Sequence, residues 1–383
     1  MIYRDGLAHA HDSARIPLQF FESAENVRAT LARTTGRTPS ARKSKDIATF
    51  IQQGRMYFDA ADQSPIEIRP LILYYGMMAF AKAVIVARGP RNAEALPQRH
   101  GLDDGSEFAT RLLNLQVKIG DEGTFQEFND VIAPREGLKY IEASMSKSHA
   151  MPTASSANLV GVELTLKQIF GNCACVADLY ETTCSESSSK LMYTLFLHGA
   201  PTEQVDLRVD VKAPLANKDE LREIVTRCRN DFTDLNNWRF REAVNAWDHA
   251  VLLFDNGTSN IDELTDGGLR ESMNGYTSIQ PAEPLRDFRT LLSRASSSLA
   301  VDHNYFSAPI NGLHISEISL QYIGIFLLGS LVRYRPQTWV HATTRFANSE
   351  RPADDSALAL VDGFMNEVRT RFPALTVRLL TRP

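Results

Sequence analysis

The stretch RPLILYYGMMAFAKAVIVARG, residues 69 to 89, limits the possible folds more than any other part of this chain. Leu71 to Ala87 is almost continuously apolar, which restricts it to a bilayer span or a helix enclosed by protein. A span takes about 20 apolar residues, and this run is shorter and holds both Gly76 and Lys82. The enclosed helix fits better. Pro70 suits a first turn, where its missing N–H would have no partner anyway, and Gly89-Pro90 supplies a stop.

A central helix requires others around it. KDIATFIQQGRMYFDAADQS places Ile47, Phe50, Ile51, Met56, Tyr57, Phe58 and Ala61 at helical spacing and predicts a helix ending near Asp62. The QSPIE link to the apolar stretch has the length of an antiparallel helix connection. HISEISLQYIGIFLLGSLVRYRP predicts a second long apolar helix ended or interrupted by Pro336, with a restart at QTWVHATTRF. A last amphipathic helix follows, with Asp354, Asp355 and Ser356 as start signals and Pro373 as its stop.

Between the helical ends the pattern changes. LLNLQVKIGDEGTFQEFNDVI alternates at period two around a Gly120–Gly123 break, which predicts a hairpin. KLMYTLFLHG, QVDLRVDVK and AVLLF predict strands, while VELTLKQIFGN and KDELREIVTRCRNDF predict helices. Four segments result: a basic, irregular stretch at 1–39, helices at 40–104, a mixed segment at 105–310 and helices again at 311–383. Residues 27–45 carry six cations and no acid, which suits either a solvated connection or an arm that contacts phosphate.

With 41 Lys+Arg against 46 Asp+Glu, no global positive field draws the chain onto nucleic acid, so any such contact must be local. The N-terminus lacks the pattern of a secretory signal, and a cytoplasmic protein is expected. Four cysteines are too few for a disulfide scaffold; the C-x-C of Cys173 and Cys175 reads as free thiols rather than zinc ligands. Neither a metal nor a cofactor is expected. The phosphate-loop, dinucleotide, serine-hydrolase and zinc-protease signatures are all missing from the sequence.

Two clusters could carry chemistry. RYRPQTWVH gathers Arg333, Tyr334, Arg335, Trp339 and His341 at a helix break, where Arg and His together can clamp a phosphate and shuttle a proton, or the cations can simply complement a helix C-terminus with Trp339 in the core. RHGL, with Arg69 and Lys82 upstream, offers His100 as an acid–base group or as a turn residue.

The stretches IQQGRMYFDAADQSPIEIRPLILYYGMMAFAKAVIVARG, RHGL and LQYIGIFLLGSLVRYRPQTW resemble the YaaC-like proteins, a bacterial family of poorly defined function. FAKAVIVARG followed by RHGL also resembles, more distantly, the HEPN helical domains, which include RNA-cutting toxins, defence enzymes and inactive binding modules. Nuclease members carry Arg and His four to six residues apart, and Arg335 and His341 have five residues between them. Pro336 stands where those members usually carry a polar residue.

The resemblance implies an α+β protein: a HEPN-like bundle of N- and C-terminal helices interrupted by a mixed insertion. It further implies an RNA-directed effector in stress or phage defence, acting as a metal-independent endoribonuclease and as a homodimer off the membrane. Arg335 and His341 would be catalytic, and Arg333, Lys82, Arg69 and His100 would bind substrate. Two other readings stay open: a non-catalytic binding or regulatory protein, and an enzyme acting on a small nucleotide.

Overall fold

The computed structural model describes residues 17–106, 111–133, 139–141, 148–150, 154–197, 205–211, 215–231, 239–245, 250–255, 269–271, 277–279, 305–343 and 357–381. In chain order these form α1 (Ala24–Thr35), α2 (Ala41–Asp62), α3 (Arg69–Arg88), β1 (Leu102–Asp104), β2 (Gln116–Ile119), α4 (Thr124–Ile132), β3 (Lys139–Ile141) and β4 (Ser148–Ala150). There follow α5 (Ser156–Leu159), β5 (Glu163–Thr165), α6 (Leu166–Asn172), α7 (Ala177–Cys184), β6 (Lys190–Leu197), β7 (Val205–Val211) and α8 (Lys218–Asp231). The last elements are β8 (Arg239–Asn245), β9 (Ala250–Asp255), β10 (Leu269–Glu271), β11 (Thr277–Ile279), β12 (Tyr305–Ser307), α9 (Glu317–Tyr334), α10 (Pro336–Thr343) and α11 (Leu358–Thr381).

The chain divides into two compact units. One comprises residues 1–133, 154–188 and 315–383; the other comprises 134–153 and 189–314. The sequence reading drew a single insertion over 105–310, yet residues 105–133 and 154–188 fall in the first unit with the terminal helices. The irregular stretch expected at 1–39 contains α1, whose Ser23 side chain accepts the Asn26 N–H and whose C-terminus closes on Gly36 at φ 68°.

In the first unit α3 is central and packs against α2, α9 and α11. Leu73, Met77, Phe80, Val84 and Val86 on it are almost fully buried. Each large apolar side chain taken from water this way contributes on the order of 2 kcal/mol. Among the described helices α3 alone is long and apolar enough to cross a membrane, and 67% of its most apolar window is covered by the surrounding protein. Gly76, which interrupts the apolar run in sequence, is a packing site: a Cβ there would fall 2.4 Å from the Phe58 ring of α2. The helices approach closely because that atom is absent.

Helix α9 is buried from Glu317 to Leu331. Its buried stretch includes the polar residues Glu317, Ser319 and Gln321. The buried Glu317 carboxylate accepts from the Cys175 amide at 3.2 Å, and Ser319 donates to Asn129 at 2.7 Å. Arg69 ties the start of α3 to α11 through an ion pair with Asp362 at 3.0 Å and donates to the Ser64 carbonyl.

Two local expectations are corrected. The hairpin predicted around Gly120–Gly123 is a strand followed by a helix: β2 ends at Ile119 and α4 begins at Thr124. Phe125, Phe128, Val131 and Ile132 sit at helical spacing and are buried, so the 3.6 period prevails over the apparent alternation. Pro373 does not stop α11, which continues to Thr381. Beyond it Leu375, Val377, Leu379 and Leu380 are buried, and that burial outweighs the roughly 3 kcal/mol cost of an internal proline. The start signals at Asp354, Asp355 and Ser356 lie outside the described residues.

A small antiparallel sheet of order β1-β2-β5 belongs to the first unit. The second unit holds a seven-stranded antiparallel sheet of order β10-β11-β8-β9-β7-β6-β12, the β3-β4 pair and α8. The strands predicted at KLMYTLFL, VDLRVDV and AVLLF are β6, β7 and β9, with Val209 opposite Tyr193 and Leu252. The whole is α+β: a helical core with antiparallel sheets.

Candidate functional site

The loop carrying His100 is held by the start of α4. The Thr124 and Phe125 amides donate to the Arg99 and His100 carbonyls at 2.9 and 3.0 Å. These are helix-start N–H groups that have no partner within their own helix. The loop turns at Gly101, with φ 80°, where a Cβ would collide with the Gln126 side chain. Gln126 in turn donates to the Gly101 and Gly120 carbonyls, both at 2.8 Å. His100 is thereby fixed against α3 and α9.

Its Nδ1 lies 2.8 Å from the Tyr74 hydroxyl, and its ring meets those of Tyr74 and Phe326 at centroid distances of 5.5 and 6.0 Å. Burial lowers the His100 pKa below the ordinary 6.5, and the Arg333 and Lys82 charges press it the same way. His100 is neutral at physiological pH. Tyr74 is pushed far above the usual phenol range by burial first and by neighbouring Tyr322 second, so it remains a hydrogen-bond donor.

Around this pair the N-terminal half of α3, the C-terminal turn of α9 and β1 enclose a cleft of about 410 Å³. The cleft brings His100 of one sequence cluster together with Arg333 and Arg335 of the other. Its walls include Tyr74, Tyr75 and His100 on one side and Phe326, Arg333, Tyr334 and Arg335 on the other. The volume is in the range of small-molecule sites.

The two arginines differ in their partners. Arg335 leaves the helical conformation at φ −134° and ψ 50°, directly before Pro336. A residue preceding proline is disfavoured in the α region, so the turn is written locally. Its guanidinium pairs with Asp104 at 3.0 Å and donates to the Ser106 carbonyl, both side chains of the pair being about 15% exposed. Arg333 is exposed, lies 5.0 Å over the Tyr334 ring and donates to the Tyr75 hydroxyl at 3.3 Å. Arg333 pairs with no carboxylate among the described residues.

Of the remaining expected site residues, Arg69 and Lys82 are not among the residues that line the cleft. Arg69 is committed to Asp362. Lys82 is half-buried on α3, two turns beyond Tyr74, and burial lowers its pKa. His341 falls in the backbone of α10, and its side chain lies outside the described residues. Sequence reasoning missed Asp104, Tyr74 and Tyr75. Asp104 was visible only as the acid closing RHGLDD, and the tyrosines only as members of apolar runs. Among the described residues no group of three or more His, Cys, Asp or Glu side chains could hold a metal ion.

Neither the curated proteins nor the solved structures contain a match to the chain. The family described as YaaC-like protein matches residues 19–380, which takes in both units and every residue of the cleft. The chain is therefore a member of the YaaC-like protein family.

Proposed function

We propose that the protein is a nucleotide-recognising regulatory protein whose cleft holds one phosphate-bearing, planar ligand. The observation that carries this reading is the difference between the two arginines: Arg335 is consumed by Asp104, while Arg333 faces the cleft without a carboxylate partner among the described residues. An unpaired guanidinium beside aromatic faces suits a nucleotide, whose phosphate meets the cation and whose base packs on Tyr75 or Tyr334. Asp103, exposed on the same rim, can accept a hydrogen bond from a ribose hydroxyl.

This favours binding over strand cleavage. A nuclease built on Arg335 and His341 needs the Arg335 guanidinium at the scissile phosphate, and releasing it from Asp104 would leave a mostly buried carboxylate unpaired. HEPN-type domains that act as binding modules fit the same reading. So does RNA as the source of the nucleotide, presented as one unpaired residue of a single strand. A homodimer in the cytoplasm belongs to this proposal as well.

Titration calorimetry with the four ribonucleoside 5′-monophosphates and a short single-stranded RNA tests it. At least one nucleotide should bind, and Arg333→Ala should weaken it about tenfold or more, the loss of one charge-assisted contact. Incubation with total RNA supplies the competing outcome. Cleavage that disappears in the Arg335→Ala, His341→Ala double variant would replace the binding reading with the nuclease.

A further inference from the structure

The partner of His100 decides what kind of ligand atom the cleft can accept. By hydrogen-bond geometry the imidazole Nδ1 is the partner of the Tyr74 hydroxyl, at 2.8 Å; the buried Tyr322 hydroxyl also acts on Tyr74 but makes no hydrogen bond of that geometry among the described residues. The phenol keeps its proton, because burial makes the phenolate costly. A buried O–H left without an acceptor is unfavourable. Tyr74 therefore donates and Nδ1 accepts.

A neutral imidazole has one N–H, so a hydrogen-bonded Nδ1 lone pair places that hydrogen on Nε2. Nε2 has no protein partner among the described residues, while His100 lines the cleft. The charged and titratable groups facing His100 agree with this assignment. From α3 come Tyr74 and Lys82; from α9 come Tyr322, whose buried hydroxyl interacts with Tyr74, and Arg333. From β1 come Asp103, exposed at the rim, and Asp104, paired with Arg335. The two nearby cations disfavour a second proton on the ring.

Resting on the nucleotide reading of the cleft, we propose that Tyr74 is a positioning residue that fixes His100 as the Nε2–H tautomer. The cleft then meets its ligand with two N–H donors, from His100 and Arg333, and selects the phosphate oxygens of a nucleotide. A phosphate ester offers acceptors only, so both donors are satisfied at once. An amine or an amide N–H presented at the same place would face a second donor. The same tautomer removes the Nε2 lone pair that a general base would need, which gives the binding reading a chemical reason.

The test begins in the ligand-free protein. Nitrogen-15 spectra of labelled histidine at pH 8, with His100 identified through His100→Gln, should show Nε2 protonated and Nδ1 bare. Tyr74→Phe should give a mixture of both tautomers and a raised His100 pKa, a change that a purely structural role for the hydroxyl does not produce. Adenosine 5′-monophosphate should bind about tenfold more tightly than adenosine, a gap that narrows in Tyr74→Phe.

A second pair of variants guards against misfolding. His100→Gln keeps a donor near the Nε2 position and should retain the phosphate preference, whereas His100→Asn should lose it. A wild-type His100 protonated on Nδ1, or tautomers unmoved by Tyr74→Phe, overturns the assignment. Adenosine binding as well as its monophosphate overturns the phosphate selection. If neither binds, the nucleotide reading and the phosphate selection fail together, while the tautomer measured without ligand stands or falls on its own spectrum.

Discussion

Arg335 and Asp104 illustrate how a residue chosen for chemistry can be held by architecture. The pair joins the C-terminus of α9 to β1, separated by 231 positions in sequence, and both side chains are largely withdrawn from water. Truncating one member leaves the other charged and poorly solvated, so Arg335→Ala and Asp104→Ala should each cost about 2–4 kcal/mol. The double variant should cost clearly less than the sum. Urea unfolding of the four proteins gives the coupling, and strict additivity would show that the two do not act together. His100 makes a different prediction at the same scale. Its folded pKa lies below 6.5, so the unfolded chain binds more protons as pH falls through that value. The neutral ring contributes stability that is present above about pH 6.5 and is lost between there and the lower folded value. Relative to His100→Gln, the wild type should therefore lose stability between pH 7.5 and 5.5; a constant difference between the two would contradict this.

Elements were legible where one signal dominated and illegible where two competed. The boundaries of α2, α3 and α9 follow from apolar spacing, an N-terminal proline or serine cap, and a helix-breaking residue, all local in sequence. The region of α4 was misread because Leu112–Ile119 supports alternation, and Gly123, with φ 151°, resembles a hairpin turn. What decides it is tertiary: the α4 amides serve the His100 loop, and Phe125 and Phe128 pack around Tyr322. The cleft was half legible for the same reason. His100, Arg333 and Arg335 stand out as residue types, but which arginine is neutralised depends on a contact across more than two hundred residues. Pro373 gives this scale its prediction. The helix carries on past it, leaving the Arg369 carbonyl without the i+4 donor it would otherwise have. Pro373→Ala should restore that bond and raise stability by about 1–3 kcal/mol, read as a higher urea midpoint. A destabilised variant would mean that the proline ring's packing matters more than the missing bond.

At the scale of the molecule, the first unit cannot form until residues 315–383 are in place. α3 is apolar around almost its whole circumference, and two of the three long helices that cover it, α9 and α11, come from the last 69 residues. A chain stopped after His314 keeps every described strand and both α2 and α3 but exposes the α3 face that α9 and α11 cover. An uncovered apolar face of that size drives association, and the His100 loop also loses its contact with Phe326. The truncated chain should aggregate or keep helix content without a cooperative thermal transition in the first unit. Supplying residues 315–383 as a separate polypeptide should restore the transition, because the missing parts are packing surfaces rather than covalent links. Cooperative unfolding of the 1–314 chain by itself, with the nucleotide affinity of the full protein, would show instead that the cleft and its support reside in the N-terminal helices alone.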